Sequence, residues 1–248
     1  MAAPAAVSEE LAALGPFFAL GFHPAGAASL PWRPMVELVE LVELVDGSSV
    51  LAERVEAVRA FLADGTGQET AAVELRVAAS VVHLGLVARV VSPLFALAVL
   101  QHRCGRVRAA DLWWQPTLGS VFPLSLRESA LDSRAGFADG VLGGVVAEFS
   151  AAASEFGVNE HILRGNVASA LAGAVRTLAA ARPDLGTDIR TLITDLLAGP
   201  HLLGAGGFEP DAEFRRRSCC LIYRAAPDRR GALCGDCVLA PPHGPMDT

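Results

Sequence analysis

Apolar positions along this chain recur mostly at helical spacing, and glycine, proline and capping side chains punctuate the runs. A short helix is expected near Ser8 to Leu14, stopped by Gly15-Pro16, within an Ala-, Gly- and Pro-rich stretch (residues 1–31) that would wrap the body loosely. Val36 to Val45 repeats every three residues with Glu37, Glu40 and Glu43 on one stripe, which reads as a helix with a solvated acidic face, ended by Asp46-Gly47. Ser48 is placed to cap a helix running to about Ala63, and Thr70 to Leu100 reads as a long apolar helix, kinked or split at Pro93. Between Arg106 and Leu126 the period changes to that of a short β-hairpin, broken at Gln115-Pro116-Thr117. Helical spacing returns over residues 135–156 and 160–182, with Gly157 as a stop and Asn159 as an N-cap, and again from Asp184 to Ala198, closed by Gly199-Pro200. Gly204-Ala205-Gly206-Gly207 then reads as a flexible link. The fold class is mainly α with a small β-hairpin or sheet (α+β). Residues 1–207 form a helical body and residues 208–248 a C-terminal segment.

Charge narrows the functions. A net charge of -7, with all 20 basic residues arginine, argues against a nucleic-acid binder, which needs a basic footprint. Glu9 and Glu10 interrupt the N-terminal apolar run, which lacks the basic start of a secretory signal, so a cytoplasmic location is expected. Ala79 to Leu100 is apolar enough to suggest a membrane span, but it contains His83, Arg89 and Ser92-Pro93. Holding Arg89 near mid-bilayer would cost about 2.5–3.5 kcal/mol, which favours a buried core helix and at most peripheral membrane contact. Arg89 then binds either a ligand carboxylate or a buried partner, or is an arginine reaching for the surface.

Chemistry concentrates at the C-terminal end. Four of the five cysteines lie in two pairs, Cys219-Cys220 and Cys234-x-x-Cys237, with thirteen residues between the pairs. Four soft thiolates in so short a segment suit zinc, copper(I) or an iron–sulfur cluster. The C-x-x-C turn, with Gly235 inside it, aims two sulfurs at one centre, whereas adjacent cysteines point apart in extended chain and reach a wide group more easily than one ion. A structural zinc knot is the plainer alternative, although repeated C-x-x-C is the common zinc pattern. Disulfides lack support in a chain with no sign of export. Cys104 is left without an evident partner.

These residues bear a family resemblance. Arg216-Arg217-Ser218-Cys219-Cys220, Tyr223 and Cys234-Gly235-Asp236-Cys237-Val238-Leu239 resemble the C-terminal motif of the FhuF-type ferric-siderophore reductases. Leu163-Arg164-Gly165-Asn166-Val167-Ala168-Ser169-Ala170 is similar to an internal helix start of that family, and the region from Ala88 to Pro93 is similar more loosely. The resemblance implies a [2Fe-2S] cluster on Cys219, Cys220, Cys234 and Cys237, and one-electron reduction of siderophore-bound Fe(III). An external electron donor, a ferredoxin or a flavin reductase, would supply the electron. The loop between the pairs, through Pro227-Asp228-Arg229-Arg230-Gly231, is a few residues longer than the family pattern. The alternative function is a [2Fe-2S] electron carrier or regulator that binds no siderophore.

Substrate contacts are expected from Arg217, Arg229 and Arg230 beside the cysteines and from Trp113 and Trp114, whose rings suit a flat ligand but equally cover a core. His161, beside the Asn159 cap, is the histidine nearest the resemblance region. No H-E-x-x-H, H-x-H, P-loop or placed G-x-G-x-x-G occurs, so a nucleotide or flavin site has no support.

Overall fold

The computed structural model describes residues 4–40, 49–102, 104–131, 135–209 and 213–240. Among them are six α-helices: α1 (Pro4–Ala13), α2 (Val50–Gly65), α3 (Leu75–Leu100), α4 (Ala147–Ser154), α5 (Glu160–Ala181) and α6 (Gly186–Ala198). A four-stranded sheet consists of β1 (Gly21–His23), β2 (Arg33–Pro34), β3 (Leu112–Trp114) and β4 (Leu124–Arg127), in the order β1-β4-β3-β2. A separate hairpin pairs β5 (Gly206–Phe208) with β6 (Phe214–Arg216). The expected mixture of many helices and a small sheet is what forms.

α3 is apolar on nearly all sides, and a helix of that kind is stable only when surrounded. It packs most extensively against α5 and then α2, and 72% of its most apolar eighteen-residue window lies buried inside the protein. It runs on through Pro93, with Ser92 Oγ donating to the Ala88 carbonyl at 2.7 Å. Arg89 binds buried partners and does not reach for the surface. It is 2% exposed and donates to the carbonyls of Phe122, Phe17 and Ala19, so it ties the N-terminal segment and the sheet to α3. Residues 4–23 are correspondingly built into the core through Val7, Leu11, Phe18 and Leu20 and do not wrap it loosely.

The expected hairpin is present: β3 and β4 pair antiparallel, with Trp113 opposite Ser125. β1 joins parallel to β4, and His23 Nδ1 lies 2.9 Å from Ser125 Oγ. Of the acidic stripe, the described part (residues 36–40) opens as a 3-10 turn, Met35–Leu38, that buries Met35 and Leu38 directly after β2. Glu37 pairs there with Arg33, while Glu43 and the expected Ser48 cap lie outside the described residues. The cap observed on α2 is Ser49, whose Oγ accepts from Ala52 N at 3.2 Å. Asn159 caps α5 as read, accepting from Ile162 N at 3.0 Å, and Gly157 turns the chain with φ +77°. Residues 138–146 form a π-helical stretch broken at Gly144, leading into α4.

Gly206 and Gly207 of the glycine-rich link lie in a strand. A Cβ at residue 206 would stand 2.4 Å from Phe214 Cζ, so the absence of a side chain is what lets β6 close on β5. This strand spans the expected boundary between residues 207 and 208 and ties the C-terminal segment to the body.

Candidate metal centre

Four anchors fix the segment that bears the cysteines. Arg217 N donates to Ala205 O at 2.9 Å, continuing the hairpin, and His161 Nε2 lies 3.2 Å from Arg217 O. Ser80 Oγ, inside α3, donates to Cys220 O at 2.8 Å. Downstream, the 3-10 turn Ile222–Ala225 seats Leu221 and Ala225 on Ala63, Val73 and Val77, a small apolar core separate from the main one. Arg224 closes that contact with Glu74, Nη2 to Oε1 at 2.6 Å, while Gln68 Nε2 donates to the Ala225 carbonyl.

The two cysteine pairs face each other. Cys220 Sγ lies 3.5 Å from Cys234 Sγ, and Cys220 and Cys237 are buried while Cys219 and Cys234 are half-buried. Backbone amides two residues on donate to sulfur: Leu221 N to Cys219 Sγ at 3.3 Å and Leu239 N to Cys237 Sγ at 3.4 Å. Within the sulfur pair, the hydrogen bond shared by the two sulfurs pulls the Cys220 thiol toward thiolate and pushes Cys234 up. Burial pushes Cys219 up, with Cys220 and Cys237 adding to it and the Arg216 charge opposing it. Among the described residues no three His, Cys, Asp or Glu side chains converge as a single-ion site.

A buried polar chain runs behind the cysteines. The Arg216 side chain, 1% exposed, donates from Nη2 to Asn166 Oδ1. Asn166 Nδ2 in turn faces Ser80 O at 3.1 Å, Ser80 Oγ at 3.2 Å and His83 Nδ1 at 3.4 Å. Burial, reinforced by the Arg216 charge, lowers His83 to about 3, so it is neutral. Arg216 Nε and Nη1 and Ser218 Oγ are buried without a hydrogen-bond partner among the described residues. Gly165 makes this approach possible: a Cβ there would be 2.0 Å from Ser218 Oγ and 3.2 Å from Arg216 Nη2. The Arg164-Gly165-Asn166 run therefore has a physical reason. Its glycine admits the segment, its asparagine holds Arg216, and Arg164 binds the carbonyls of His201 and Leu203.

Beside the cysteines lies a cleft of about 620 Å³ between α5, α6, the β5–β6 hairpin and the Gly235-Asp236 turn. Such a volume is within the range of roughly 300–1,000 Å³ typical of small-molecule sites. Arg176 and Arg190 line it together with the rings of Phe208 and Phe214, which meet edge to face at 5.4 Å; Glu209, Glu213 and Asp236 supply carboxylates. None of the substrate contacts expected from sequence lines this cleft. Arg217 and Arg230 are exposed beside the cysteine segment, and Arg229, also exposed, lies 3.6 Å from Glu74. Trp113 stacks on His23 with centroids 3.6 Å apart, and Trp114 is 1% exposed against Phe122 and Arg54, so both belong to the sheet. Arg176 and Arg190 had no signal in sequence, since they come from two helices and face one space only after folding.

Residues 216–239 match the FhuF 2Fe-2S C-terminal domain, and all four paired cysteines lie within the match. The match agrees with the resemblance carried by the motif, and it indicates a [2Fe-2S] cluster as the cofactor of this segment. No curated protein sequence matches the chain. The residues present fit such a group. Four thiols on one segment supply the sulfur set, amides donate to two of them, and a buried guanidinium beside them has two nitrogens unpartnered.

Proposed function

We propose that this protein is a ferric-siderophore reductase, holding its [2Fe-2S] cluster on Cys219, Cys220, Cys234 and Cys237 and reducing siderophore-bound Fe(III) to Fe(II) in the cytoplasm. When bound, a cluster of this type accepts and releases one electron at a time. The observation that supports the substrate half of this reading is the cleft, whose wall includes Gly235 and Asp236 between two of the cysteines. A chelate seated there stands against the cysteine turn, and the Gly235 position offers no side chain to hold it away.

Outer-sphere electron transfer breaks no covalent bond, so neither a nucleophile nor a general base is required. What the chain must supply is close approach, and α5, α6 and the hairpin enclose the chelate on the remaining sides. Arg176 and Arg190 meet acidic groups of the chelate, Phe208 and Phe214 its apolar surface. One electron enters from an external donor, a ferredoxin or a flavin reductase, and one leaves to the ferric ion. Siderophores hold Fe(II) far more weakly than Fe(III), so the product leaves as free ferrous iron.

The test is anaerobic mixing of the chemically reduced protein with ferric siderophores in the presence of a chromophoric ferrous trap. One Fe(II) per reduced chain is expected. Colour that fails to develop with hydroxamate, catecholate and carboxylate chelates alike would favour the electron-carrier reading.

A further inference from the structure

Arg216 is an unusual residue to find beside four thiols. It is a permanent cation, 1% exposed, with no carboxylate partner among the salt bridges of the described residues. Among the described residues its one side-chain hydrogen bond goes to the neutral Asn166, and two of its side-chain nitrogens have no partner. Ser80, Asn166 and the neutral His83 complete the buried set, so Arg216 is its only charge. An isolated buried charge is costly, and buried cations are ordinarily paired. Its backbone N donates to Asp236 O at 3.2 Å, inside the Cys234–Cys237 turn, and its charge acts on both Cys219 and Cys220.

We propose that the missing counter-charge is the thiolate-held cluster, and that Arg216, aimed by Asn166 and admitted by Gly165, is the positioning residue that sets its reduction potential. Reduction adds one negative charge to a group that the four thiolates already make anionic. A fixed cation in a water-poor site stabilises the more negative, reduced state more than the oxidised one, and thereby raises the potential. Surface arginines such as Arg217 and Arg230 are screened by water and salt, and act mainly on approach. This role rests on the cluster and is independent of which substrate takes the electron, because the potential is read with no siderophore present.

The experiment is spectroelectrochemical titration of the cluster-loaded protein and its Arg216→Gln, Arg216→Lys and Asn166→Asp variants, with the electron paramagnetic resonance spectrum of each reduced form. Asn166→Asp is included because a carboxylate at that position would cancel the arginine charge while keeping side-chain shape. Arg216→Gln and Asn166→Asp should each disfavour reduction by about tenfold, which is about 59 mV for a one-electron couple. Arg216→Lys should stay near the wild type. An Arg216→Gln protein with an intact spectrum and an unchanged potential would overturn the proposal. Should Arg216→Gln fail to load, Asn166→Asp decides in the same way. Should neither load, retention of the cluster by Arg216→Lys upholds the need for charge, and its failure there too overturns it.

Discussion

Ser80 Oγ, in the second turn of α3, donates to the carbonyl of Cys220 at 2.8 Å, joining the central helix of the fold to the middle of the cysteine motif across 140 positions. Asn166 on α5 backs the same serine, so the cysteines are referenced to both long helices at once. Ser80→Ala removes the donor and leaves a buried carbonyl less well satisfied, a loss of about 1–3 kcal/mol. Urea unfolding should show a lower midpoint, and the cluster should be released earlier than the helices unfold. Unchanged cluster retention would mean that the remaining anchors fix the segment without Ser80.

Gly165 and Gly85 make a matched pair of helix glycines. Alanine at 165 would place a Cβ against Ser218 Oγ at 2.0 Å, whereas alanine at 85 would meet nothing within 4 Å. Gly165→Ala is expected to cost about 1–3 kcal/mol through overpacking and to lower cluster content. Gly85→Ala should gain about 0.5–1 kcal/mol from helix propensity. Circular dichroism melts with parallel iron analysis check both.

Acid should destabilise the apoprotein through its buried histidines. Burial and then the Arg216 charge hold His83 down to about 3 in the native state, against about 6.5 unfolded. The unfolded chain therefore takes up a proton that the native state refuses. Stability is complete above pH 6.5 and falls by up to about 1.4 kcal/mol per pH unit as pH drops from 6.5 toward 3. His23, stacked on Trp113 and lowered to about 4 by burial and Arg127, adds to the same slope. Urea midpoints at pH 7.5, 6 and 5 measure it. His83→Gln should flatten part of the slope, and an identical slope would contradict the neutral assignment.

Cysteine replacement should separate the motif from the fifth thiol. Alanine at Cys219, Cys220, Cys234 or Cys237 is expected to bleach or destabilise the cluster. Cys104 lies outside the motif, half-buried, with burial pushing its thiol up to about 11, so it is a poor thiolate. Cys104→Ala should keep about two iron and two sulfide per chain, the content of one [2Fe-2S] cluster.

Local signals in this chain were legible where one side chain decides the outcome. The Asn159 cap, the Gly157 stop and the β3–β4 alternation all formed where their residues placed them. Relations set by packing were not legible. Gly206 reads as part of a linker until Phe214 is seen across from it, and Leu38 reads as an ordinary member of a repeat until it is seen buried in the turn directly after β2. The cysteines announced themselves by chemistry, since thiols so grouped have few other uses. Their surroundings did not, because Gly165, Asn166, Arg176 and Arg190 acquire meaning only when α5 and α6 lie against the tail.

The most direct measurement is stopped-flow reoxidation of the chemically reduced protein by a ferric siderophore, in the wild type and in Gly173→Trp. Gly173 lines the cleft and has open space where a side chain would begin, so a tryptophan there takes up room in the cleft. A small oxidant such as ferricyanide should reoxidise both proteins at the same rate. The ferric siderophore should reoxidise the variant at least about tenfold more slowly, because its iron is held away from the cysteine turn. Equal rates with the siderophore would contradict the cleft as its seat, and no reoxidation of the wild type by any ferric siderophore would contradict the reductase itself.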